Sequence, residues 1–109
     1  MEELLLGVIE KFNERAETDT KLRKELEGIR RNIQIEVTDG KNYNFVLDNI
    51  KISNFAEGDM ETPDITIISD TETIFGLFNR EIGPMKALAT KKLRVQGSLS
   101  DMLRIRKLF

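Results

Sequence analysis

The side chains that could do chemistry in this chain are few in kind. There is no histidine and no cysteine, which removes thiol nucleophiles, Ser-His-Asp triads, histidine general bases and ordinary zinc sites. An enzyme would have to work with carboxylates, lysines, hydroxyls or the single Tyr43. Two acidic spacings come nearest. Asp59-x-Glu61 puts two carboxylates close together, but the EF-hand loop pattern is missing, and the segment 56–64 reads as a solvated acidic loop. Asp70 and Glu72 precede an apolar run. Acid–base work would need both to face one pocket, whereas their position suits the cap and first turn of a helix. The expectation is a protein that is not an enzyme, with no cofactor and no metal.

At 109 residues, the chain reads as one domain, 1–109, able to bury roughly 65% of its unfolded surface. Hydrophobic residues are 39%, enough for a core of ordinary size. Without cysteine there is no disulfide framework. The N-terminal Met1-Glu2-Glu3 carries acids where a signal peptide needs bases. No stretch reaches the ~20 apolar residues of a membrane-spanning helix, so the expected compartment is the cytoplasm. Charge is lopsided. Beyond residue 83, Lys86, Lys91, Lys92, Arg94, Arg104, Arg106 and Lys107 face Asp101 alone, although the net charge is −2. Such an end could steer the protein to anionic lipid headgroups through Lys86, Lys91, Lys92 and Arg94. Alternatively, Arg104, Arg106 and Lys107 simply complement a helix C-terminus. The acidic remainder argues against nucleic acid as a partner.

The elements that would position these groups follow from periodicity. Leu4, Leu5, Val8, Ile9 and Phe12 recur at helical spacing, with Glu10, Lys11, Asn13, Glu14 and Arg15 mostly opposite. Asp19 can cap a second helix carrying Leu22, Leu26 and Ile29. Ile33, Ile35 and Val37 then alternate with polar residues as in a strand. Asp39-Gly40 signals a hairpin turn, Tyr43, Phe45 and Leu47 share one strand face, and Ile50, Ile52 and Phe55 make a third strand. Ile65, Ile67 and Ile68 form a fourth, ending at Ser69. Asp70 caps a helix carrying Ile74, Phe75, Leu77, Phe78 and Ile82. Pro84 opens a short helix, Leu93 and Val95 alternate with Arg94 and Gln96, Gly97 breaks the strand, and Ser98 or Ser100 caps a terminal helix. Strands in the middle and helices at both ends indicate an α+β fold.

The order of weak motifs resembles the sterol carrier protein type 2 lipid-binding domain family over roughly residues 26–109. Asp39-Gly40 sits where the family turns after its first strand. Tyr43-Asn44-Phe45-Val46-Leu47 looks like its aromatic-led second strand, and Pro63-Asp64-Ile65-Thr66-Ile67 like a later one. The closest piece is Met85 to Gly97, followed by a helix ending in Leu108-Phe109. The family often has Gly-Lys where this chain has Lys91-Lys92, and Asp where Ser98 stands. The resemblance implies a five-stranded mixed sheet with about five helices on one face and a hydrophobic tunnel between the layers. It implies non-catalytic binding, and transfer, of a fatty acyl chain, a sterol-like molecule or an isoprenoid, without a cofactor.

On that basis the expected tunnel wall is Phe75, Phe78, Met85, Leu88, Leu99, Met102, Leu103 and Phe109, and the terminal helix is the candidate gate. Each of these residues read singly is equally a core residue. The alternative function is a structural or homodimerising accessory module whose interior is filled by its own side chains.

Overall fold

The computed structural model describes residues 1–106. Its first helix, α1 (Glu2–Thr18), buries Leu5, Phe12 and Ala16 on one stripe. Glu2 and Glu3 occupy the first turn and Arg15 the last, each complementing the helix dipole. Asp19 ends α1 and caps α2 (Thr20–Leu26) by accepting the Leu22 N–H at 3.1 Å. The Arg23 guanidinium donates back to the Ala16 carbonyl at 2.8 Å, tying the two helices at their joint.

A five-stranded sheet follows. Its strands are β1 (Arg30–Val37), β2 (Tyr43–Asp48), β3 (Lys51–Glu57), β4 (Ile65–Ser69) and β5 (Leu93–Gln96). They lie in the order β3-β2-β1-β4-β5. Neighbours run antiparallel except β1 and β4, which run parallel and pair Ile33 with Ile65 and Ile35 with Ile67. This is the mixed sheet that the resemblance implied. A parallel pair needs a crossover, and here it is made by β2, β3 and the acidic loop.

Strand alternation decides the faces. Ile33, Ile35, Tyr43, Phe45, Leu47, Ile65, Ile67 and Leu93 point into one core with Leu5, Phe12, Leu22 and Leu26 of the helices. Two departures from plain strand periodicity shape β3. Asn49 and Ile50 both take left-handed backbone angles, φ 52° and 61°, the signature of a two-residue hairpin turn of type I′. Ile50 therefore belongs to the turn, not to the strand expected from its hydrophobicity. Asn54 is also left-handed, and the register shifts there so that Asn54 and Phe55 together stand opposite Phe45. The bulge swings Phe55 onto Tyr43, with ring centroids 5.5 Å apart.

After β4, Asp70 caps α3 (Thr71–Phe78) by accepting the Thr73 N–H at 2.7 Å. Asp39, in the turn between β1 and β2, accepts from both the N–H and the hydroxyl of Thr71 at 2.8 Å. Those two bonds hold the Asp39 carboxyl below the usual carboxylate pKa range. Pro84 opens α4 (Pro84–Ala89), and Ser98 caps α5 (Leu99–Ile105) by accepting the Asp101 N–H.

Candidate functional site

The interior between helices and sheet contains an apolar cavity of about 30 Å3. α1 supplies Leu5, Val8 and Ile9 as i, i+3 and i+4 neighbours on one helix face. The sheet supplies Ile35, Phe45, Ile67 and Leu93, and α3 supplies Ile74, Leu77 and Phe78. No polar side chain lines it. A space of this size holds about one water-sized group; it does not hold an acyl chain.

Two surface clefts adjoin the helical layer. The first, about 490 Å3, lies between α1 and the end of α3. Val8, Leu77 and Phe78 wall both this cleft and the cavity, so the two are separated by shared side chains alone. The second, about 760 Å3, runs between α2, the turn from α3 to α4, and α5, with Ile82, Pro84 and Leu103 among its walls.

Of the eight residues expected from the sequence, Phe78 lines the cavity. Phe75, Leu88 and Met102 are half-buried, and Leu88 packs against the core. Met85, Leu99 and Leu103 are 61%, 73% and 51% exposed; Leu103 lines the second cleft. Phe109 lies outside the described residues. The structure therefore brings Phe78 together with residues of α1 and the sheet, and it does not bring all eight around one space. Of the cavity residues outside that expectation, Leu5, Val8 and Ile9 show in the sequence as the apolar stripe of α1, Ile35, Phe45, Ile67 and Leu93 as alternating strand residues, and Ile74 and Leu77 as the stripe of α3.

α5 is attached to the sheet by charge. Asp101, 5% exposed, receives the Arg31 Nε at 2.9 and 3.0 Å on its two oxygens and the Arg104 Nη1 at 2.7 Å. Burial alone would raise the Asp101 pKa, but the bonds from Arg31, Ser98 and Arg104 outweigh it and leave the pKa lowered. Arg104 stands in the last turn of α5, where it complements the helix dipole, and forms this side-chain ion pair as well.

The acidic loop is anchored rather than free. Gln34, 3% exposed on the sheet face away from the helices, donates to the Tyr43 and Gly58 carbonyls and to Asp59 Oδ1. Its own carbonyl accepts the Met60 N–H at 2.6 Å. Asp59 also accepts from Asn42 at 2.8 Å, so this carboxylate serves a loop clasp. Among the described residues no cluster of His, Cys, Asp and Glu could hold a metal ion. Lys86, Lys91, Lys92 and Arg94 are exposed and form no ion pair among the described residues.

The model of the SCP-2 sterol transfer family matches residues 9–109, from the middle of α1 onward. The chain belongs to that family. Its members are lipid carriers, generally non-catalytic. No curated protein matches the sequence significantly. Among solved structures, the UbiJ-SCP2 ubiquinone synthesis protein is 17% identical with a TM-score of 0.65, covering 94% of this chain and 85% of that one. Palmitated SCP2L2 from Aedes aegypti is 18% identical with a TM-score of 0.60, covering 92% and 90%. The stereoselective inverting sec-alkylsulfatase Pisa1 from Pseudomonas sp. is 13% identical with a TM-score of 0.62, over 78% of this chain. This chain spans only 13% of the length of that sulfatase. At these identities the likeness is one of fold. It agrees with the α+β architecture of five helices on a five-stranded mixed sheet found among the described residues. Among the described residues, no helix of this family member is long and apolar enough to cross a membrane.

Proposed function

We propose that this protein binds one hydrophobic lipid between its helical layer and its sheet and carries it without catalysis. The observation that supports the reading is the wholly apolar lining of the cavity under α1 and α3, in a chain of a lipid-carrier family. A long acyl chain is the favoured ligand, because a relative of the same fold is described in palmitated form; sterol-like and isoprenoid molecules fit the same chemistry. Burying ~16 methylenes is worth up to ~13 kcal/mol before association and ordering costs.

The small size of the cavity is consistent with that reading. A preformed dry void of ~300 Å3 would cost about 7 kcal/mol, comparable to the stability of a whole domain. A carrier is therefore expected to close its layers on each other and open them around the lipid. Phe78 and the half-buried Phe75, Leu88 and Met102 are proposed as walls of the opened site. Release of α5, held by the Arg31–Asp101 pair, is the proposed way to widen it. The exposed Met85 beside Lys86, with Lys91, Lys92 and Arg94, fits a transient contact with an anionic membrane surface, at about 1 kcal/mol per well-placed basic residue.

The same 30 Å3 also suits the competing reading, an accessory or homodimerising module with a filled core. Native mass spectrometry of the purified protein, with organic extraction of the same sample, separates the two. A discrete adduct of lipid mass supports the carrier. An unmodified mass after incubation with fatty acid, sterol and phospholipid supports the filled module.

A further inference from the structure

Two features of the cleft between α1 and α3 have no explanation in packing. Gly7 stands in the middle of α1 and lines the cleft. A glycine in a helix interior lowers stability relative to alanine, and a Cβ added at Gly7 would meet nothing within 4 Å. No neighbour demands its smallness. The second feature is Arg80, which follows the C-cap of α3 with φ 60°. Glu81 donates to the Gly76 carbonyl at 2.8 Å and Arg80 to the Leu77 carbonyl at 3.3 Å, the closing pattern of a helix that favours glycine at the left-handed position. Ile82 also packs on Gly76 so closely that a Cβ there would collide with it. The turn is thus held rigidly, with an arginine kept where glycine would be less strained.

Both features border one space. Arg80 and Lys11 line the cleft with Arg15, against the single carboxylate of Glu3. Arg80 forms no ion pair among the described residues. The floor of the cleft is Val8, Leu77 and Phe78, which are also walls of the apolar cavity. A cationic rim over an apolar interior, with room left at Gly7, is complementary to an amphiphile with one anionic end.

We infer that the cleft between α1 and the α3 turn is the headgroup site for an ionised single-chain lipid, its carboxylate held by Arg80 and Lys11 and its tail in the widened interior. This rests on the lipid-carrier reading and narrows it: charged acyl ligands are selected over neutral ones. Strain at Arg80 and the helix cost at Gly7 are then retained for binding at the expense of stability.

The test compares binding of hexadecanoate and of hexadecanol to the wild type, Arg80→Gly, Arg80→Lys and Gly7→Leu, with thermal unfolding recorded for each. The expected result is that the wild type prefers the acid by tenfold or more. Arg80→Gly raises the melting temperature yet loses most of that preference, with hexadecanol binding unchanged, and Arg80→Lys retains part of it. Gly7→Leu also melts higher and binds both ligands more weakly. Equal binding of acid and alcohol by the wild type, unaffected by Arg80→Gly, would overturn the headgroup site while leaving the lipid carrier intact. Binding of neither ligand by the wild type would overturn both.

Discussion

Arg31 of β1 and Asp101 of α5 are seventy positions apart in sequence yet meet in an ion pair in which one guanidinium nitrogen reaches both carboxylate oxygens, at 2.9 and 3.0 Å. It is the polar contact that fastens the last helix to the centre of the sheet, and Arg104 reinforces it from one turn further on. Asp101→Asn keeps the shape but removes the charge. The variant is expected to be less stable by about 1 to 3 kcal/mol, read by chemical denaturation, with faster amide exchange confined to α5.

The same pair sets an acid limit. The folded-state pKa of Asp101 lies below its ordinary value, and so does that of Asp39. Their contributions are fully present above an unfolded carboxyl pKa of about 4 and are lost as the pH falls through the lower folded values. Stability should therefore decline below about pH 4. The decline should be shallower in Asp101→Asn, measured as melting temperature against pH.

Lys91 ends α4 in the left-handed conformation, φ 62°, while the Lys92 N–H returns to the Ala87 carbonyl at 2.9 Å. This helix end therefore closes on a residue with positive φ, a position that favours glycine. Lys91→Gly should stabilise the protein by about 0.5 to 1 kcal/mol, a few degrees in melting temperature, without altering the fold.

Gln34 clasps the loop after β3. Gln34→Ala leaves the carbonyls and Met60 N–H around it without a partner, for an expected loss of about 1 to 2 kcal/mol. Amide exchange should rise at 58–60 before it rises anywhere in the helical layer.

Filling the cavity should trade binding for stability. Val8→Ile adds one methylene to a wall of the 30 Å3 space and should stabilise by up to about 0.8 kcal/mol. Affinity for an acyl chain should fall severalfold. Destabilisation instead would mean that the space cannot accept the methyl group.

Much of the architecture was legible in the sequence because one face of each element is apolar. The alternation of Ile33, Ile35 and Val37, the Asp70 cap and Pro84 each reported their own local geometry. Ile50 misled because hydrophobicity says which residues pack, not which backbone angle a tight turn imposes. Periodicity shows Gln34 only as a polar residue alternating with Ile33 and Ile35, because its partners, Gly58, Asp59 and Met60, arrive from a loop with no periodic signal. Asn13 shows the same limit. Its spacing puts it on the polar side of α1, yet it donates to and accepts from the Ile52 backbone at 3.0 and 2.8 Å, occupying the open edge of β3. The site was less legible than the fold. Periodicity marks both Phe78 and Met85 as apolar helix residues, but only three-dimensional packing sets one against the cavity and leaves the other in solvent.

The most direct test of a lipid carrier is a titration with hexadecanoate followed by methyl NMR. Reporters are Leu5, Val8, Ile35, Ile67, Ile74 and Leu77 around the cavity, with the exposed Leu6 as the surface control. The account predicts saturable shifts concentrated on the cavity methyls, with stoichiometry near one. Shifts at Leu6 alone, or none at all, would contradict it.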